Sequence, residues 1–222
     1  MSLIGDILPL AVGVVMSPLA IIAVTLMLVS EGAKRNSLSF ILGWILGLVV
    51  VSGMGLFVAE TQDLSPGTGP SLAALVIRFV LGALLLFLAY RQWKKRPKPG
   101  HQPTVPKWLL SIDSFTPLQA FGLALLLSVK PKNLILTLAA ALDIAQSTLG
   151  NVQSVMALVL FIVIASTSVA APVVLFLVMG EKSTWMLDGL KRWFMENNAT
   201  IMFVLLLVFG AILIAEGING II

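Results

Sequence analysis

Six stretches of this chain are apolar for about as long as the hydrocarbon core of a bilayer is thick, roughly 20 residues each. They run Ile7–Val29, Leu38–Val58, Leu72–Tyr90, Leu118–Leu142, Val155–Met179 and Ala199–Gly217. Inside lipid every backbone N–H and C=O needs a partner from the protein, and a helix supplies them all within one segment. The expected fold class is therefore an all-α polytopic membrane protein with six transmembrane helices. The balance of residues agrees: 59% are hydrophobic and 11% charged, where a soluble domain has about half and a quarter. Mean hydropathy is +1.05, which leaves no room for a second, soluble domain. Cysteine is absent, so disulfides and thiolate metal sites are excluded. Met1 to Gly5 carries no Lys or Arg, so the first run reads as a span and not as a cleaved signal peptide.

The loops set the expected orientation. The first carries Lys34 and Arg35, the third Arg91, Lys94, Lys95, Arg96, Lys98 and Lys107, and the fifth Lys182, Lys191 and Arg192. The second, with Glu60 and Asp63, and the fourth carry no base. Positively charged loops stay in the cytoplasm, so the odd loops are expected there and both termini outside. The basic balance, with a pI near 9.6, then reads as topology and lipid-headgroup contact, and not as nucleic-acid binding.

The third loop holds Pro97, Pro99, Gly100, Pro103 and Pro106, the composition of a stiff or disordered linker. The expected organisation is a three-helix repeat over 1–95, a linker over 96–115, and a second three-helix repeat over 116–222. The linker's His101 reads as a solvated side chain. In the fifth loop Trp185, Met186, Leu187, Leu190, Trp193 and Phe194 interleave with Asp188, Lys191, Arg192 and Glu196. That pattern suits an amphipathic interfacial helix near 183–196.

Two internal matches suggest duplication. Phe79-Val-Leu-Gly-Ala-Leu-Leu in the third span resembles Leu207-Val-Phe-Gly-Ala-Ile-Leu in the sixth, and Pro18 in the first span sits where Pro131 sits in the fourth. Apolar heptapeptides match easily by chance, so the combination carries more than either part. Three spans per half would insert the halves with opposite orientation, an inverted repeat. Interrupted spans at corresponding positions of such halves point to a binding site near the midplane.

Proline removes a backbone donor and clashes with the preceding turn. Pro18 should leave the Val14 carbonyl without its helical partner, and Ser17 is the adjacent group able to serve it. Taken alone, Pro18 reads as a plain kink; set opposite Pro131, it reads equally as a kink or as half of a site. In the second span, Gly43 and Gly47 at a four-residue spacing should let another helix approach closely.

The fourth span holds Lys130-Pro131-Lys132-Asn133 between apolar flanks. An ionised Lys at a helix centre costs about 2.5–3.5 kcal/mol on insertion scales. No acid sits at mid-depth in spans one to five; Asp143 and Glu216 lie near outer ends and Glu31 near an inner one. A bound anion is then the simplest partner for Lys130 and Lys132. An unwound turn at Pro131 would let both ammonium groups face one cavity, and the helix beginning there would aim free N–H groups at the same place. Asn133 and Ser17 complete the expected substrate-binding set. The competing reading has both lysines snorkelling at the cytoplasmic end of a shorter span.

Arg78, some eight residues inside the third span, reads as a snorkelling base or as the partner of Glu216 or Asp143, an ion pair or gate member. Ser166-Thr-Ser168 before Pro172 in the fifth span suits a helix broken against the cavity, or close packing. No His/acid cluster, thiol or nucleophile–base pair is in view, so no catalytic residue, metal or cofactor is expected.

Met16-Ser-Pro-Leu-Ala-Ile-Ile-Ala-Val and Phe40-Ile-Leu-Gly-Trp-Ile-Leu-Gly resemble the start of the GAP family, the peptidoglycolipid (sulfolipid) addressing proteins of the LysE transporter superfamily. Lys130-Pro-Lys-Asn133 resembles that superfamily's Asn-Pro-Lys element, with Lys130 in place of the Asn. The resemblance spans essentially the full length. It implies a LysE-like fold of two inverted three-helix repeats in a prokaryotic plasma membrane. It also implies that an amphipathic glycolipid, or a lipid-linked phosphate, is moved toward the outer leaflet, with Ser17, Pro18, Lys130, Pro131, Lys132 and Asn133 as site residues.

The expected function is thus a transporter or flippase for an anionic amphiphile, with membrane lipids around it. A homodimer and a lipid-synthesis machinery are compatible partners. No nucleotide-binding P-loop is present, so coupling would be to a proton or ion gradient. Two other readings stay open: an amino-acid or small-ion exporter, which should have acids in its cavity, and a non-transporting lipid-assembly factor.

Overall fold

The structure, a computed structural model, describes residues 3–30, 32–61, 72–94, 107–147 and 150–219. Glu31, Asp63 and residues 95–106, with His101 and the prolines of the linker, lie outside the described residues. Among the described residues every regular element is helical.

The first apolar run forms two helices, α1 (Leu3–Val15) and α2 (Pro18–Leu28), bent by 52° at Met16-Ser17. The fourth does the same, with α5 (Pro117–Ser128) and α6 (Pro131–Ala145) meeting at 65°. The remaining runs form long helices: α3 (Ala33–Thr61), α4 (Leu72–Lys94), α7 (Asn151–Met179) and α8 (Thr184–Asn219). Four helices are long and apolar enough to cross a membrane, and the bent pairs, each taken as one span, bring the number to six. Each half of the chain is therefore a bent pair followed by two long helices.

Proline explains where the bent pairs break. Pro18, Pro117 and Pro131 all stand in the first turn of a helix, where a missing N–H is harmless and the fixed φ is already helical. Thr116 caps α5 in a reciprocal box with Gln119. Gly180, at φ 59° and ψ −142°, ends α7 in a conformation that side chains disfavour. Pro172 behaves differently: it lies inside an unbroken α7, so the expected break there is absent. A spanning helix can absorb one lost bond; at Pro18 and Pro131 the polar side chains of Ser17 and Asn133 take the freed carbonyls instead.

The stretch 183–196 is not a separate helix either. No proline interrupts residues 184–219, and Thr184–Asn219 forms one helix of 36 residues. At the α-helical rise that is roughly 54 Å, well beyond a hydrocarbon core of about 30 Å. Its first third buries Leu187 and Phe194 and exposes Trp185, Met186, Leu190 and Trp193. The end of the linker is also structured: Lys107–Ser114 forms a 3₁₀ segment that buries Leu109 and Ile112. Asn36 ties it down by donating from Nδ2 to the Phe115 carbonyl at 2.8 Å.

The core lies between the bent pairs and α3, α7 and α8, with Phe40, Trp44, Phe161 and Leu136 fully buried. Large apolar side chains such as Leu42, Phe57, Leu72 and Val178 point outward, as a lipid-facing surface requires. Gly43 and Gly47 sit against the α5 backbone at Phe121 and the Ser128 side chain, the close approach their spacing suggests.

Candidate functional site: two helix breaks and the cavity beside them

At the first break, every exposed carbonyl can be accounted for. Pro18 has no N–H, so Val14 O loses its helical donor, and the Ser17 hydroxyl replaces it at 2.7 Å. The Ser17 N–H turns to Val15 O at 2.7 Å, which frees Gly13 O. The Ala20 N–H goes to Ser17 O at 3.0 Å, which frees Met16 O. Both orphaned carbonyls accept from the Lys132 ammonium, Met16 O at 2.9 Å. Its third donor faces Ser17 Oγ at 3.3 Å.

The second break repeats the solution. Leu127 O, four residues before Pro131, accepts from Asn133 Nδ2 at 3.1 Å. Asn133 Oδ1 in turn lies 3.0 Å from Ser17 Oγ as an acceptor. Ser17, Lys132 and Asn133 are all at least nine-tenths buried. One interlocked polar patch therefore closes both breaks at once.

The two lysines are not equivalent. Lys132 Nζ has three donors and three protein oxygens facing it. Lys130 is only half-buried, and among the described residues its ammonium has neither a hydrogen-bond nor an ion-pair partner. It borders a cavity of about 320 Å³. The first residues of α2 (Pro18, Leu19, Ala20) and of α6 (Pro131, Lys132, Asn133) line the same cavity, so the positive ends of two helix dipoles meet there. Arg91 and Gln92 from the end of α4 form a polar rim, and Leu88, Leu127, Met202 and Leu206 form apolar wall. Asn198 contributes Oδ1, a buried acceptor that has no donor among the described residues.

Taking each bent pair as one span, α1 and α2 have 13 and 11 residues and α5 and α6 have 12 and 15. Both breaks thus divide their spans almost evenly, with roughly 16–22 Å of helix on either side.

The opposite end of the molecule carries a second polar group. Arg78 Nη2 is ion-paired with Asp143 Oδ1 and donates to Gln146 Oε1 at 3.0 Å. The Arg78 and Asp143 side chains are 16% and 7% exposed, so the pair is largely withdrawn from solvent. Glu216 and Asp6 lie near enough for their charges to act on Asp143. Arg78 Nε, Gln146 Nε2 and Glu216 Oε2 are buried without partners among the described residues. Along α4 this cluster stands about 20 Å from Arg91, thirteen residues on.

The sequence-derived site residues therefore separate into three places. Ser17, Pro18, Pro131, Lys132 and Asn133 form the joint between the breaks; Lys130 faces the cavity; Arg78, Asp143 and Glu216 gather at the far end. Pro172 belongs to none of them, and no α7 residue lines the cavity; Ser166 is instead buried on the packed face of α7. Arg91, read from sequence as a topology determinant, and Asn198, one of several loop asparagines, gain their place at the cavity only by folding. Asp6, just before the first apolar run, carries no sequence signal that would join it to Asp143.

The family model for Sap, sulfolipid-1-addressing protein, matches residues 7–219. No curated protein and no solved structure matches the chain significantly.

Proposed function

The chain belongs to the sulfolipid-1-addressing protein family, and from that premise we propose that it moves an anionic amphiphile from the cytoplasmic leaflet toward the outer one. The substrate class is a glycolipid bearing sulfate or a lipid-linked phosphate. Its anion sits on Lys130, at the mouths of α2 and α6, with Arg91 as a second cation at the rim. One observation carries this: Lys130 is an ammonium without a partner among the described residues, on a cavity into which two helix N-termini open. Anions are stabilised at such termini, and broken spanning helices present them to anionic substrates. The unused acceptor of Asn198 suits a sugar hydroxyl, and the apolar wall suits the start of an acyl chain.

In this reading the six spans are two inverted three-helix repeats of the LysE type, in a prokaryotic plasma membrane with both termini outside. The cavity then opens at the basic, cytoplasmic ends of α4 and α8. The Arg78–Asp143 pair closes the outer end, so the structure corresponds to an inward-open state. The protein acts as a carrier and not as an enzyme, surrounded by membrane lipids and compatible with a homodimer.

A second reading draws on α8. Its first third carries exposed Trp185, Met186, Leu190 and Trp193 beyond what a bilayer needs. In a lipid-assembly factor that surface would engage a lipid-synthesis machinery.

The test is reconstitution into liposomes containing a lipid phosphate or lipid sulfate labelled on its headgroup. Lys130→Ala should slow leaflet exchange at least tenfold relative to the parent protein. Equal rates would remove the anion site, and no exchange with either protein would favour the assembly reading.

A further inference from the structure

Lys132 sits in the cavity wall, yet its ammonium points into the joint between the breaks. We propose that the Lys132 ammonium is a tethered monovalent cation, filling a cation site that the broken first span would otherwise offer to a free ion. This goes beyond the headgroup reading and does not depend on it.

The argument starts from the carbonyls. A helix that ends inside a membrane leaves acceptors without donors and a negative dipole end. In transporters, unwound carbonyls and half-helix C-termini are where Na⁺ or a proton is coordinated. Here α1 ends at Val15, and the chain to Pro18 presents Gly13 O and Met16 O with no backbone donor. Ser17 Oγ joins them as a third oxygen: its single hydrogen goes to Val14 O at 2.7 Å, with Asn133 Oδ1 as the alternative acceptor at 3.0 Å, and a lone pair is left for Lys132. Three oxygens therefore converge on one point, and the Lys132 nitrogen occupies that point. The count of donors matches this role: three acceptors suit the three N–H bonds of an ammonium.

No carboxylate is ion-paired with Lys132 among the described residues, so the oxygens around it are neutral. Neutral carbonyl oxygens that replace a hydration shell are the ligands of monovalent cations, as in K⁺-selective filters. Lys132 reaches this point from the first turn of α6, which makes the cation part of the other half of the protein. The charge that satisfies the first break is thereby the link that holds the two breaks together. A free ion could leave; a tethered one keeps the joint closed whatever the Na⁺ concentration.

Lys132→Met should leave the three oxygens in place and empty. The full-length variant, purified in detergent, should melt several degrees below the parent protein in choline chloride. It should recover most of that loss, saturably, in sodium, potassium or methylammonium chloride at equal ionic strength. The parent protein and Lys130→Met should melt at the same temperature in all four salts. A Lys132→Met protein whose melting ignores the cation overturns the proposal, as does one that melts like the parent in choline. Lys132→Gln provides the same comparison with a smaller packing change. Failure to recover both variants folded in every one of the small cations also overturns it, because an emptied site should accept them. The headgroup reading fails separately, on the leaflet-exchange rate of Lys130→Ala.

Discussion

Gly82 and Gly210 face each other across α4 and α8, each standing where a side chain would strike the other's backbone. A Cβ at Gly82 would lie 3.0 Å from Gly210 O, and a Cβ at Gly210 would lie 3.1 Å from Gly82 O. These are the glycines of the two matching heptapeptides, so the third span of one half crosses the third span of the other at equivalent points.

The crossing should tolerate no added side chain. Gly82→Leu would overpack it and lower stability by about 1–3 kcal/mol, read as a fall in melting temperature in detergent. Gly53→Leu is the control, because nothing lies within 4 Å of a Cβ there.

Ser17 and Asn133 each replace the donor that a proline removed. Ser17→Ala should strand Val14 O, at roughly 1–3 kcal/mol for a buried unsatisfied acceptor, and Asn133→Ala should cost less, because Leu127 O keeps the Lys130 N–H at 3.4 Å. The side chains also meet each other, so the double variant should lose less than the sum of the two losses. Thermal unfolding of the four proteins of that cycle measures the difference; strict additivity would deny the contact between the breaks.

Lys130 and Arg91 should differ in how salt treats them. Arg91 is exposed at the rim while Lys130 is half-buried, and exposed charges are screened far more strongly than withdrawn ones. The exchange defect of Arg91→Ala should therefore shrink between about 0.05 and 0.5 M NaCl, where the Debye length falls well below 10 Å. That of Lys130→Ala should persist. Rates measured in the reconstituted system across that range decide it.

Breaking the far-end pair should be severe. Arg78→Met would leave Asp143 buried without its counter-charge, a loss on the order of 3–5 kcal/mol. Arg78→Met combined with Asp143→Asn should recover part of it, since the Asp143 charge leaves with its partner while Glu216 still loses the nearby guanidinium. Unfolding temperatures of the single and double variants test this. Under the inward-open reading, the double variant should also leak substrate to the outer side, which the single-leaflet label reports.

How much of this was legible beforehand follows from what each feature depends on. The spans and the two breaks are local: apolar run length and proline's missing N–H act within a few residues, so Ile7–Val29 and Leu118–Leu142 could be read as interruptible from the chain alone. The Val14 carbonyl and its service by Ser17 were legible for the same reason. Pro172 was not, because whether a proline bends a helix or is absorbed depends on the groups around it.

What the sequence determined by itself is a helical membrane protein with polar groups set into two spans. Only the tertiary structure decided which ammonium faces the cavity. Lys130 and Lys132 are two residues apart and chemically identical, and charge counting treats them alike. The bend between α5 and α6 turns one toward the cavity and the other into the carbonyls of a helix more than a hundred residues earlier. Asn198, Arg91 and Asp6 owe their places to the same cause: contacts between distant segments are set by packing, and packing leaves no periodicity in the chain.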